Sequence, residues 1–214
     1  MTMKIERHDS CDAQNDSYDR TSWLLCNLGQ MCREDRQTVK EGTPEARTLP
    51  YLGLEHIEGQ SGRILRTPAK TPMDAGRGLS FRFDTRHVLY GKLRPYLNKV
   101  VVPDFNGRCT KEAIPLLPEP GVERDYLAWL LRRPETVAWV MREKTGSRMP
   151  RADIDHLFRL NVRLPAIDEQ RRIVTLLNRQ MALVEHARMA LKEQHDIIDR
   201  LPSTLLHYAF RGAV

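Results

Sequence analysis

Cysteine is scarce in this chain and forms no pattern. The four cysteines, Cys11, Cys26, Cys32 and Cys109, make no Cys-x-x-Cys pair and no zinc spacing with any of the seven histidines. Neither a disulfide framework nor a structural zinc site follows from them, and they read as reduced thiols of a cytoplasmic protein. Long apolar runs are also lacking. No segment has the pattern of a signal peptide or the length of a membrane span, which argues for a soluble protein with no membrane partner. Motifs of catalysis are missing too. The glycines form no phosphate-cradling or S-adenosylmethionine loop after a strand, and there is no Asn-Pro-Pro-Tyr segment and no Gly-x-Ser-x-Gly turn. Pro103-Asp104 is not followed by the Glu-x-Lys or Asp-x-Lys of a nuclease centre. His56, between Glu55 and Glu58, and His87, beside Arg86, have no second ligand at metal-binding distance in sequence and read as surface or hydrogen-bonded histidines. The expectation is a non-catalytic chain without metal or cofactor.

What the chain does have is positive charge, unevenly spread. The 214 residues carry a net charge of +6, with a pI near 9.3. Between Gly62 and Lys111 eleven basic residues, from Arg63 and Arg66 through Lys92, Arg94 and Lys99 to Lys111, face only Asp74, Asp84 and Asp104. A segment so biased fits a polyanionic partner. Arginine dominates over lysine, and its planar fork suits bidentate contacts to phosphate or a guanine edge, although codon usage produces the same bias.

Residues 1–21 are polar and acidic with almost nothing to bury, the composition of a disordered tail. Residues 22–163 mix short β-like runs with turn residues. Strands are predicted over Thr48 to Leu54, Arg63 to Arg66, Ser80 to Phe83, His87 to Tyr90, Lys99 to Val102, Glu112 to Leu117 and Arg159 to Arg163. Helices are predicted over Asp125 to Leu131 and Pro134 to Lys144, the second opened by a first-turn proline. With no regular βα alternation, the fold class is α+β, a mixed-sheet domain followed by a long C-terminal helix in residues 164–214.

That helix is well marked at its start. Pro165 is tolerated in a first turn, and Asp168 and Glu169 complement the N-terminal dipole. From Ile173 to Leu201 apolar residues occupy three adjacent heptad rows for four heptads, interrupted on the central row by Gln180 and Gln194. Between Ala166 and Arg200 the helix should run roughly 50 Å at 1.5 Å per residue, more than one small domain can cover. Ile173, Leu177, Gln180, Val184, Leu191, Gln194 and Ile198 are therefore the candidates for a partner-helix surface, with the glutamines setting register. The competing reading lays the whole helix across its own domain.

In the basic region, Gly91-Lys92-Leu93-Arg94-Pro95-Tyr96-Leu97-Asn98-Lys99 stands out. Pro95 is expected to hold the backbone extended, so that Lys92, Arg94 and Lys99 project from a stiff strand-turn-strand, with Tyr96 and Asn98 adding hydrogen bonds to phosphate or base edges. The alternative keeps Leu93, Tyr96 and Leu97 in the core and the cations as a solvated rim.

Five segments in order resemble the specificity subunits of type I restriction-modification systems: the Lys-x-Arg-Pro-Tyr-Leu-x-Lys turn, Tyr126 to Leu131, the glycine loop Thr145-Gly146-Ser147-Arg148-Met149-Pro150-Arg151, Leu164-Pro165 through Glu169-Gln170-Arg171-Arg172-Ile173-Val174, and Leu201 through Ala209-Phe210-Arg211-Gly212. The resemblance covers about residues 22 to 212. Cys109-Thr110-Lys111-Glu112 departs from it, standing where the family has a Ser-rich strand entry.

The resemblance implies a target-recognition domain that contacts double-stranded DNA through Arg63, Arg66, Lys92, Arg94, Tyr96, Asn98, Lys99, Ser147, Arg148 and Arg151. It implies a spacer helix that docks a DNA methyltransferase subunit and, through the complex, a restriction/translocase subunit. One copy of each part is present where full-length subunits carry two, so the expected working form is a homodimer reading a bipartite, inverted site. The rivals are a coiled-coil assembly or scaffold protein whose head binds protein, and a degenerate specificity fragment without DNA specificity of its own.

Overall fold

A computed structural model describes residues 23–65, 78–146 and 148–211. The tail predicted over residues 1–21, together with Arg66 and Ser147, lies outside the described residues. The chain runs β1 (Leu24–Asn27), β2 (Cys32–Glu34), β3 (Thr38–Val39), α1 (Pro44–Thr48), β4 (Tyr51–Leu52), β5 (Ser80–Phe83), β6 (Val88–Gly91), β7 (Val100–Val101), β8 (Gly107–Thr110), β9 (Ala113–Pro118), α2 (Arg124–Arg132), α3 (Pro134–Val140), β10 (Lys144–Thr145), β11 (Arg151–Ala152), α4 (Ile154–Phe158), β12 (Asn161–Leu164) and α5 (Ile167–Phe210). This is an α+β fold with a long C-terminal helix, as the pattern of short strands and two helical patches predicted.

Two four-stranded sheets form its centre, in the orders β2-β9-β6-β7 and β3-β5-β8-β4, and among the described residues only β4 and β8 pair in parallel. Strands β6 and β9, buried on both faces for most of their length, carry Val88, Leu89, Ile114 and Leu116 into a core shared with Leu127 and Leu131 of α2. Such double burial explains why those runs are continuously apolar rather than alternating. The two remaining pairs, β1 with β12 and β10 with β11, are short antiparallel ribbons.

Several predicted boundaries move. Thr48 to Leu54 holds only the two-residue β4, because Thr43 caps α1 through its hydroxyl and Pro44 takes the first helical position, and Leu54–His56 then turn as a 3-10 helix. Of the strand predicted from Arg63 to Arg66, the described part contributes one bridge, Ile64 to Ile57. The helix opened by Pro134 tightens to a 3-10 turn over Met141–Glu143, and Lys144 already belongs to β10. Strands β1, β2, β3, β8, β10 and β11 were not predicted. They are two to four residues long and draw their stability from their neighbours rather than from a legible local pattern.

Helix α5 runs past Arg200 to Phe210 with Pro202 inside it. Pro202 removes one backbone donor, and the Ser203 and Thr204 hydroxyls donate to the carbonyl of Arg200 at 2.9 and 3.0 Å in the same turn. Its N-terminal third grips the domain. The Gln170 side chain, fully buried, donates through Nε2 to the carbonyls of Gly121 and Pro165, both at 2.9 Å, and accepts from the Glu123 amide at 2.8 Å. Further along, the Trp129 indole donates to Asn178 at 3.0 Å and Arg63 pairs with Glu185 at 2.8 Å. Gln170, Val174, Asn178 and Glu185 lie on one face at 100° per residue. The apolar stripe lies on the far side, where Leu176, Leu183, Leu191, Ile197, Ile198, Leu201 and Leu205 are each between 44% and 66% exposed. The reading that lays the whole helix across its own domain is thereby ruled out.

Candidate nucleic-acid interface

The turn after β6 does not have the extended backbone predicted for it. Pro95 opens a single 3-10 turn, Pro95–Leu97, flanked by Arg94 at φ 52° and Asn98 at φ 50°, both in the left-handed region. A proline φ near −65° suits a first helical position as well as an extended one, so local rules alone leave the choice open. Tertiary bonds decide it. The Arg94 amide donates to the carbonyl of Pro150 at 2.7 Å, the Leu97 amide to Arg94 and the Asn98 amide to Pro95 at 2.9 Å each, and the Gln60 amide to Asn98 at 2.9 Å. The Gly91 amide closes the loop onto the Lys99 carbonyl at 2.8 Å. A Cβ at Gly91 would come within 2.9 Å of that same oxygen, so this position requires glycine.

This geometry sorts the predicted contact residues. Arg94 is exposed, Lys92 half-buried, and neither forms an ion pair among the described residues. Tyr96 is 49% exposed and points away from the core. Asn98 and Lys99 turn inward: Asn98 Nδ2 donates to the Arg132 carbonyl at 2.8 Å, and Lys99 Nζ to the Leu54 carbonyl at 2.6 Å. Their polar groups hold the turn against the domain.

The glycine loop folds beside this turn. Strands β10 and β11 form a small hairpin with Gly146 at φ +81°, and Arg148 is exposed at its tip without an ion pair among the described residues. The hairpin is anchored to the turn by a bridge between Leu93 and Arg151 and by the Ala152 amide donating to the Lys92 carbonyl at 2.8 Å. Two segments more than fifty residues apart in the chain thus present Lys92, Arg94 and Arg148 together, joined by exposed Lys144, which the sequence reading did not single out. A shallow cleft of about 180 Å³ beside Arg94 is lined by Leu54, Leu93, Leu97 and Met149, with Glu55 and Lys99 at its edge.

The other predicted cations are committed elsewhere. Arg151 makes a bidentate pair with Glu112 at 3.1 to 3.3 Å, and this raises the guanidinium pKa. Arg63 bridges Glu58 at 3.1 Å and Glu185 at 2.8 Å, and the Glu58 carboxyl is held below its ordinary range by hydrogen bonds from Ser61 and Arg63. Of the histidines, His56 accepts from the Gly53 amide through Nδ1, and buried His87 lies between Asp84 at 3.0 Å and Asp35 at 3.2 Å. Both find hydrogen-bonding partners within the domain.

The helix residues offered for a partner fall on one face. Ile173 and Leu177 are half-buried at the edge of the domain, whereas Gln180, Val184, Leu191, Gln194 and Ile198 are exposed. Gln170 and Asn178, which set the opposite face against the domain, were missed as anchors, although Gln170 stands in the Glu-Gln pair that carried part of the resemblance.

No family model matches the chain. Over 164 residues, 76% of its length, it is 25% identical to the type I restriction enzyme EcoDI specificity subunit of Escherichia coli, of which it covers 36%. Its fold is similar, with a TM-score of 0.70 and 21% identity over 86% of the chain, to a chain solved for the complex assembly and conformational transition of the type I R-M system. It also resembles the crystal structure of the HsdS subunit from Thermoanaerobacter tengcongensis, with a TM-score of 0.66 and 21% identity over 85% of the chain. It covers 48% of each of those chains, so it spans about half the length of the solved subunits or less of the curated one. In sequence the chain is similar to a type I restriction enzyme specificity subunit, and its fold is shared with the solved HsdS subunit.

Proposed function

We propose that the chain is a non-catalytic DNA-specificity subunit. In this reading the domain recognises one half of a bipartite site in double-stranded DNA. Helix α5 joins two copies and offers a docking surface to a DNA methyltransferase subunit and, through the complex, to a restriction/translocase subunit. The observation that carries the reading is the meeting of the Lys92 to Arg94 turn with the Arg148 hairpin, which brings together cations that form no ion pair among the described residues. Cations on preorganised backbone lose little entropy on meeting phosphate. Tyr96 and the cleft beside Met149 supply surfaces for base edges or sugar. The apolar stripe that α5 leaves exposed, with Leu183, Leu191 and Ile198 each more than half exposed, supports joining through the helix.

The test is a base-resolution methylation map of DNA from cells that express the matching methyltransferase with and without this chain. A new bipartite motif with inverted half-sites is the expected result. An unchanged map, with both proteins present and associated, would favour the scaffold or degenerate-fragment reading, which the exposed stripe of α5 alone also accommodates.

A further inference from the structure

Leu97 and Met149 are 38% and 49% exposed on the face that also carries Lys92, Arg94 and Arg148. Phosphate gains nothing from apolar surface, so exposed apolar side chains among cations point to a second kind of contact. With Leu54 and Leu93 they wall the cleft of about 180 Å³ beside Arg94. We infer that this cleft receives the 5-methyl group of a thymine presented in the major groove of double-stranded DNA. The inference rests on the DNA-binding reading of the proposed function and adds the base group that the domain reads.

The occupant follows from size, polarity and charge. Pockets for cofactors and drug-sized ligands run from about 300 to 1,000 Å³, and a nucleoside flipped from the duplex needs a pocket that encloses it. The cleft is smaller and shallow. A methyl group is close in size to a water molecule, whose share of liquid volume is about 30 Å³, and fits there with the ring edge that carries it. Of the groups that a duplex shows in its grooves, the thymine methyl is the apolar one. Charge sorts the approach. Glu55, at the edge of the cleft, forms no ion pair with a lysine or arginine among the described residues, and its carboxylate comes no nearer to His56 than 3.9 Å. That charge repels phosphate, which is drawn instead to the side of Arg94, and a base edge is left to face the cleft.

The walls are set before binding. The Leu54 carbonyl accepts from Lys99 Nζ at 2.6 Å, Leu93 bridges to Arg151, and the Leu97 amide donates to the Arg94 carbonyl at 2.9 Å. Three segments distant in the chain thus meet on fixed backbone, which keeps the entropy lost on contact small. The concave shape also separates this contact from intercalation, where an apolar side chain must protrude between base steps.

Deoxyuridine in place of thymine removes the methyl group and keeps the hydrogen bonds of the base pair. The test is equilibrium binding of the chain, with its matching methyltransferase, to a duplex bearing the site found by the methylation map, each thymine being replaced in turn. At one thymine of a half-site the replacement should weaken binding about fourfold, the worth of moving one methyl group out of water. With Leu97→Ala and Met149→Ala combined, both at exposed positions, that ratio should fall to near unity at the same thymine while the salt slope stays unchanged. In Arg94→Ala both duplexes should weaken alike and the ratio should persist. A site at which no thymine methyl matters, the result expected if the cleft takes a protein side chain instead, would overturn the inference and leave the DNA-binding reading standing. So would a ratio that survives in the double variant. A complex without sequence-dependent DNA binding would overturn the inference together with the proposed function.

Discussion

Gln170→Leu keeps the volume of the most deeply buried side chain of α5 and removes its three hydrogen bonds, so it measures what the anchor contributes. Gln170 is fully buried, donates to Gly121 and Pro165 at 2.9 Å, and accepts from Glu123 at 2.8 Å. A neutral hydrogen bond nets roughly 1 kcal/mol, and a buried group left without its partner costs about 1–3 kcal/mol. The bond to the Pro165 carbonyl is buried, whereas the Gly121 and Glu123 groups lie nearer solvent and recover water in part. The substitution should therefore destabilise the domain by about 2–4 kcal/mol, read as a lowered midpoint in urea with an unchanged slope. The isosteric Gln170→Glu should behave differently. Its carboxylate can still accept from Glu123 but faces two carbonyls, so its folded-state pKa is raised above the unfolded value. The folded state then binds more protons, and the variant should lose stability as pH rises through the carboxylate range and regain it on acidification. A loss below about 0.5 kcal/mol for Gln170→Leu, or a Gln170→Glu variant without pH dependence, would refute the view that this amide locks the helix to the domain.

The cations of the interface give further tests. Arg94→Ala and Arg148→Ala should each weaken DNA binding across sequences and lower the salt slope by about one unit. Arg63→Ala, whose guanidinium is held by Glu58 and Glu185, should leave the slope unchanged; equal losses for all three, in binding titrations at several salt concentrations, would contradict the assignment. Asp84, held well below the usual carboxylate range first of all by hydrogen bonding to Arg86, contributes stability that is complete above the ordinary carboxylate pKa and is lost progressively below it, as pH falls toward the depressed folded-state value. Asp84→Asn should flatten the acid limb of the stability profile, and an unchanged limb in denaturation curves carried from neutral pH to well below the ordinary carboxylate pKa would count against that pairing.

Much of the architecture was legible because it depends on period and punctuation. The stripe from Ile173 to Leu201, the buried runs of β6 and β9, and the proline opening α3 are local signals that the fold respects, whereas Pro165 stands one residue before the Ala166 cap of α5 rather than in its first turn. The turn from Lys92 to Lys99 was legible as a site but not as a shape. Its conformation is set by Pro150 and Gln60, distant residues whose backbone groups no local rule connects to Arg94 or Asn98. For the same reason Arg63 reads in sequence as a free cation and folds into a bridge to Glu185, 122 residues away. Lys99 and Asn98 have the side chains of DNA contacts, yet a carbonyl opposite each of them takes up its donor.

The two faces of α5 also divide the molecule energetically. The anchors Gln170, Asn178 and Glu185 meet the domain on one side, and Leu183, Leu191 and Ile198 look outward on the other. Few atoms are shared between the two sets, so substitutions in the basic turn and in the stripe should have additive effects. A change in what the domain binds need not disturb what the helix joins, and the chain can drift in one property while the other stays constant.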